Sequence, residues 1–277
     1  MSLVVQGLDV DNVALKSLAK LTGAHAIEQI TPRAFRLCGA QTDPGVPTHC
    51  AHAALDWAWV AEDRRLADFG LFVTDMDSTL INIECIDEIA DMQGLKTQVA
   101  EITEAAMRGE MDFRESLTRR VALLRGLSED ALAKVYEQRL QLNPGAERLM
   151  HGLKKAGIRT MLVSGGFTYF TNRLKQRLGF DHAWANELEV EGGYLTGRVA
   201  GDIVDGQAKA AHLERTRDEL GLRPEQVICA GDGANDIPMF QAAGFGVAYR
   251  AKPVLRAEAD CCLDHVGLDG ILSLFAS

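Results

Sequence analysis

Apolar and polar positions change period several times along this chain, and the changes divide it into parts. From residue 142 onward, short apolar runs alternate with amphipathic stretches: a helix over 146–155 stopped at Gly157, a strand over 159–163, a Ser164-Gly165-Gly166 turn, and a helix over 168–178 stopped by Gly179. A hairpin follows, 188–190 with 194–199 about Gly192-Gly193, then a helix over 207–220 and a strand over 227–230. A strand around Gly246-Val247-Ala248, a short helix opened by Pro253, the apolar Cys261-Cys262-Leu263 and a last helix complete the series. Such repetition predicts an α/β fold with a doubly wound, mainly parallel sheet. An apolar strand at 71–73 belongs to the same sheet, so the core comprises residues 69–82 and 142–277.

Between Glu84 and Gln141 the period is helical throughout. Helices over 86–92, 98–108, 113–124 and 128–140, with stops at Gly94, Gly109 and Gly126, predict an inserted helical-bundle cap over residues 83–141, lying above the strand ends as a lid. Residues 1–68 read as a small N-terminal α+β segment. Strands at 3–5 and 34–37 flank a helix over 13–21 in a βαβ-like unit, 41–47 reads as a linker, and 52–67 reads as a helix leading to the next strand.

Composition narrows the class. With 277 residues and 47% hydrophobic content the chain buries a core without staples. Six cysteines show no C-x-x-C spacing, and four stand in apolar surroundings typical of buried thiols, which fits a reducing compartment. The first residues carry no basic stretch followed by a long apolar one, and no apolar run approaches a membrane span, so a soluble, cytoplasmic protein is expected. A net charge of -10 offers no basic face to nucleic acid but does not exclude a small phosphorylated substrate, provided a metal or a few local cations neutralise it. His49 and His52 flank Cys50, but without a second ligand pair they read as a surface turn.

Three predicted strands end in polar turns: Asp75-Met76-Asp77-Ser78-Thr79, then Ser164-Gly165-Gly166, then Gly231-Asp232-Gly233-Ala234-Asn235-Asp236. Parallel strands put their carboxyl ends on one edge, so the turns should meet. Four carboxylates gathered there (Asp75, Asp77, Asp232, Asp236) make physical sense around a hard divalent cation, and all-oxygen ligation favours Mg²⁺ over zinc. Mg²⁺ points to phosphoryl chemistry, and Ser164 before two glycines at a helix start offers a hydroxyl and N–H groups to an anion. Lys209 by itself reads as a solvated helix residue, as do Glu84 and Arg120.

These motifs, together with Asn82-x-Glu84-x-x-Asp87-Glu88 and the run Phe113-Arg114-Glu115-Ser116-Leu117-x-x-Arg120-Val121, resemble the haloacid-dehalogenase superfamily of aspartate-based phosphatases and, within it, the phosphoserine phosphatases, from about Leu71 to the C-terminus. The resemblance implies hydrolysis of phosphoserine at the end of serine synthesis, with Asp75 as nucleophile and Asp77 as acid and base. It implies Mg²⁺ held by Asp75, the Asp77 carbonyl and Asp232. Ser164, Gly165, Lys209 and Asn235 would contact the phosphate, and Glu84 and Arg120 the substrate's ammonium and carboxylate. Asp236 would support the metal or Lys209, or start a helix; Met107 and Phe113 would line the pocket. The N-terminal segment is expected to serve packing or a homodimer, and the substrate to be a small molecule, with no nucleic acid or membrane partner.

Overall fold

The structure, a computed structural model, describes residues 1–276 apart from the side chain of Met107. The chain begins β1 (Ser2–Gln6), α1 (Asn12–Thr22), β2 (Ala26–Thr31), β3 (Ala34–Cys38), α2 (Val46–His52) and β4 (Asp56–Val60). This is a β-α-β-β-α-β unit rather than one βαβ. Strands β1 and β3 pair antiparallel, so the crossover reading of that segment does not hold. The stretch expected to be a helix over 52–67 instead contains β4, whose alternating buried and half-buried residues pack between β1 and the last strand of the molecule.

The core follows as β5 (Leu71–Thr74), the cap helices α3 (Cys85–Asp91), α4 (Lys96–Met107), α5 (Phe113–Leu123) and α6 (Asp130–Gln138), then α7 (Ala146–Lys155), β6 (Arg159–Phe167), α8 (Thr168–Leu178), β7 (His182–Glu191) and β8 (Tyr194–Ala200). It closes with α9 (Gly206–Glu219), β9 (Val227–Gly231), α10 (Ile237–Ala242), β10 (Phe245–Tyr249), α11 (Pro253–Arg256) and β11 (Cys261–Leu263), and the expected final helix is a 3-10 segment, Leu268–Ser273. Among the described residues eleven strands form one sheet, in the order β2-β3-β1-β4-β11-β10-β9-β5-β6-β7-β8. The six strands from β11 to β7 are parallel. Two apolar layers cover it: Phe72, Leu149, Leu153, Phe170 and Leu174 on one face, Leu71, Val73, Leu213 and Met239 on the other.

From β5 the chain steps to β6 and β7 on one side and later returns to β9 on the other, so the carboxyl end of β5 lies where the strand order reverses. That is the position at which open α/β sheets bind ligands. The cap joins the core through paired hinges: Ile81 bridges Leu142, and the Asn143 side-chain amide donates to the carbonyls of Thr79 at 2.8 Å and Ile81 at 3.0 Å. On its far side, the Gly126 N–H donates to the Leu195 carbonyl and the Leu195 N–H to that of Leu127, which ties the cap to β8.

The N-terminal strands are fastened by Asp56. Its buried carboxylate accepts the backbone N–H groups of Asp264 at 2.8 Å, His265 at 3.0 Å and Val266 at 2.9 Å. Burial still holds the Asp56 carboxyl above its ordinary value, and the three N–H donors offset part of that cost. Among the described residues no helix is long and apolar enough to cross a membrane.

Candidate active site

Strand β5 delivers Asp75 to the sheet edge. The Asp75 N–H donates to the Ala230 carbonyl on β9, and the carboxylate is almost fully buried. One of its oxygens, Oδ1, accepts from the Met76 N–H at 2.7 Å and meets the Lys209 ammonium at 2.8 Å. No hydrogen bond reaches Oδ2 among the described residues. Beyond Asp75 the chain makes a single wide turn in which Ser78 takes a left-handed φ of 58°. That twist lets its hydroxyl donate to Glu84 Oε1 at 2.7 Å and turns Asp77 toward the cavity, where Oδ1 accepts the Cys85 N–H at 3.3 Å.

Strand β6 contributes Ser164, whose Oγ accepts the Gly166 N–H at 2.9 Å and so keeps its own hydrogen free for an anion. The strand runs through the expected turn to Phe167, four residues past its expected end at Val163, with a register shift against β7 between Val163 and Phe167. A Cβ on Gly166 would stand 2.7 Å from Asp77 Oδ2, so glycine there is a condition of the approach. Strand β9 ends in Gly231 and presents Asp232, to which the Thr79 hydroxyl donates at 3.4 Å.

Lys209 is not the solvated residue its sequence context suggests. Helix α9 carries it inward, with no exposed surface, between Asp75 and Asp236 at 2.8 Å from each. Burial alone would depress its pKa, but Asp236 and Asp75 reverse that and hold it above the ordinary lysine value. Asp236 is fully committed: Oδ1 takes Lys209, and Oδ2 accepts the N–H groups of Asp232 at 3.1 Å and Gly233 at 3.2 Å. Its carboxylate therefore braces the loop before it, not the N-terminus of the helix after it.

Asp75, Asp232 and Asp236 form the one group of potential metal ligands found among the described residues, their oxygens within 4.8 Å of one another. His49 and His52 are exposed on α2, while the Cys50 thiol is buried and pushed up to about 12 by burial and by Asp56. One buried lysine, with the exposed Lys252 3.9 Å from Asp232, does not offset three buried carboxylates. Burial, against Lys209 but with Asp236 and Asp232, drives Asp75 well above the usual carboxylate range, and burial with Asp236 raises Asp232 to about 6. An all-oxygen pocket with surplus negative charge fits a hard divalent cation. Asp77 is raised to about 8, first by burial and then by Glu84, so it carries a proton at neutral pH.

A stability prediction follows from these raised values. Without metal, the folded state holds protons on Asp232 and Asp77 that the unfolded chain, with carboxyl pKa near ~4, has released. Folding stability is then fully present at low pH and declines as pH climbs through about 6 and about 8. We expect the melting temperature of metal-free protein to fall several degrees between roughly pH 5.5 and 8.5, and saturating Mg²⁺ to remove most of the fall. Parallel declines with and without the ion would contradict this.

The cap faces these groups across a cavity of about 680 Å³. Asp75, Asp77, Ser164, Gly165 and Asn235 line it from the core; Glu84, Asp87, Phe113 and Arg120 line it from the cap. Arg120 is half-buried, makes no ion pair among the described residues, and has one long contact, 3.4 Å from Nε to the Ser116 carbonyl. Phe113 lines the cavity; the side chain of Met107 lies outside the described residues. Sequence reading missed Asn186. This buried amide accepts the Val204 N–H at 2.7 Å and donates to the Gly165 carbonyl at 2.8 Å, which ties the Ser164 loop to the segment that opens α9. Its signal was an asparagine inside a strand pattern, a residue type strands disfavour.

A family model described as haloacid dehalogenase-like hydrolase matches residues 72–241, and one described as a domain of unknown function matches residues 3–46. The chain is 54% identical over 217 residues to a phosphoserine phosphatase from Polaromonas sp. (strain JS666 / ATCC BAA-500), covering 76% of this chain and 92% of that protein. Among solved structures, it resembles a haloacid dehalogenase family hydrolase from Salmonella enterica subsp. enterica serovar Typhi (TM-score 0.90, 29% identity, 100% of this chain and 98% of that one). It also resembles a phospho-aspartyl intermediate analogue of phosphoserine phosphatase (TM-score 0.70, 41% identity, 75% and 99%).

Proposed function

The chain belongs to the haloacid dehalogenase-like hydrolases and, within them, to the phosphoserine phosphatases, and we propose that it dephosphorylates free O-phosphoserine in the cytoplasm, through an aspartyl-phosphate on Asp75, as the last step in making serine. The observation that carries the reading is a single cavity holding an aspartate with one unengaged oxygen on the core side and an unpaired guanidinium, Arg120, with Glu84 on the cap side. Phosphoserine has the matching groups: a phosphate, a carboxylate and an ammonium.

In this reading Asp75 Oδ2 attacks phosphorus in line while Oδ1 stays held by Met76 and Lys209. Asp77 gives its proton to the departing serine oxygen, then takes one from the water that hydrolyses the aspartyl-phosphate. The Ser164 hydroxyl, Gly165, Asn235 and Lys209 hold the phosphoryl oxygens. Arg120 receives the substrate carboxylate with two parallel N–H donors, and Glu84 the ammonium. Mg²⁺ would be held by the Asp75 carboxylate, the Asp77 carbonyl and Asp232, and when bound it neutralises charge on the phosphoryl group. Asp236, with both oxygens engaged, serves Lys209 instead.

The test is phosphate release from a panel of phosphomonoesters with Mg²⁺, with chelator, and with Mg²⁺ restored. We expect kcat/KM for phosphoserine to exceed that for p-nitrophenyl phosphate at least about 100-fold, as two charge-assisted recognition contacts require, with turnover lost to chelator and regained with Mg²⁺. Equal turnover of phosphoserine and the uncharged-alcohol ester would sink the substrate assignment.

A further inference from the structure

The charge balance of the cavity leaves one cation without a task. Lys209 is locked between two carboxylates, and Arg120 belongs to the cap end. Lys252 lines the same cavity on the core side, beside Asn235.

Its place is fixed by backbone. Arg250 takes a left-handed φ of 45°, which turns the chain sharply out of β10. The Lys252 N–H then donates to the Asp232 carbonyl at 2.8 Å, and the Lys252 carbonyl accepts the N–H groups of Leu255 at 3.1 Å and Arg256 at 3.2 Å. The main chain of Lys252 is thus clamped beside Asp232, while its side chain remains 57% exposed. The Nζ stands 3.9 Å from Asp232 Oδ2, too far for a hydrogen bond, so its three donors are not committed there.

A phosphomonoester dianion that enters this cavity meets the carboxylates of Asp75, Glu84 and Asp87 on a chain of net charge -10. An exposed cation at the mouth, only loosely paired with Asp232, offsets that repulsion and raises the encounter rate. We propose that Lys252 binds the phosphate at the mouth, capturing the dianion as it arrives and holding inorganic phosphate as it leaves, a task separate from that of the buried Lys209. The inference rests on the phosphatase reading above.

The experiment uses the full chain loaded with Mg²⁺ and compares wild type, Lys252→Met and Lys252→Arg. Inorganic phosphate is titrated by calorimetry, phosphoserine kinetics are followed over a range of ionic strength, and Mg²⁺ affinity is measured alongside. In Lys252→Met, phosphate binding weakens about tenfold and kcat/KM falls about tenfold, as loss of one charge-assisted contact predicts, with kcat falling far less. The salt dependence of kcat/KM flattens, and Lys252→Arg restores both quantities to within about threefold. Mg²⁺ binds somewhat more tightly once the positive charge beside Asp232 is gone, opposite in sign to the phosphate effect, a pattern that loose packing would not produce.

Unchanged phosphate affinity in Lys252→Met overturns the inference, as does Lys252→Arg behaving like Lys252→Met. A wild-type protein that binds phosphate yet ignores phosphoserine overturns the substrate assignment alone, and the calorimetric arm still decides on Lys252.

Discussion

Asp75→Asn lowers phosphoserine turnover by at least about 10⁴-fold, because an amide oxygen does not replace a carboxylate as the attacking group, and it raises the melting temperature of the metal-free protein. The second half separates chemistry from folding. Asp75 is crowded by Asp232 and Asp236 and shares its one buried lysine with Asp236, so its charge is a burden that burial enlarges. Neutralising it leaves Lys209 paired with Asp236 at 2.8 Å and relieves the repulsion. Each kcal/mol of relief is worth about 2–4 °C in a domain of this size. Turnover in the variant within tenfold of wild type would remove the nucleophile assignment, and a lower melting temperature would show that the Asp75–Lys209 pair outweighs the crowding.

Arg120→Met raises KM for phosphoserine about 100-fold, the cost of losing a bidentate carboxylate contact, and changes that for p-nitrophenyl phosphate less than about threefold. Arg120 suits this dissection because its one hydrogen bond among the described residues is the long one to the Ser116 carbonyl within α5, so its removal leaves Asp75, Asp77 and Lys209 with their partners. Glu84 is less separable: it accepts the Ser78 hydroxyl and raises Asp77, so Glu84→Gln disturbs the acid along with the ammonium contact. Equal loss on both esters in Arg120→Met would place the arginine in the cap's architecture instead of its recognition.

The parts of the fold legible in the sequence are those with a local cause. The cap helices fall within two residues of expectation at all eight ends, the first three stopped by Gly94, Gly109 and Gly126, all at positive φ. The three strand-end turns meet because parallel strands oblige them to. What escaped notice depends on distant partners. Strand β4 has five residues, and its Trp-Ala-Trp-Val run suits a helix as well as a strand until β1 and β11 pair on either side of it. Strand β2 is nearly all exposed and paired on one edge only, so no apolar alternation announces it. The burial of Lys209 arises from how α9 lies against β6 and the Asp236 loop, which no property of its own helix records. Asn143 and Asn186 likewise look like ordinary polar residues until the carbonyls they serve are brought to them.

The joining of β4 to β11 also sets a timetable for synthesis. Asp56 and the N–H groups that hold it are 208 or more residues apart, so an emerging chain has β4 ready long before its partner exists. At ordinary translation speeds that interval lasts roughly 10–40 s. For that time the outer edge of β4, Trp-rich and ready to pair, is open to any other nascent strand. The N-terminal unit is therefore made first but completed last, and conditions that slow release of the C-terminal residues should expose this protein to aggregation more than its finished stability would suggest.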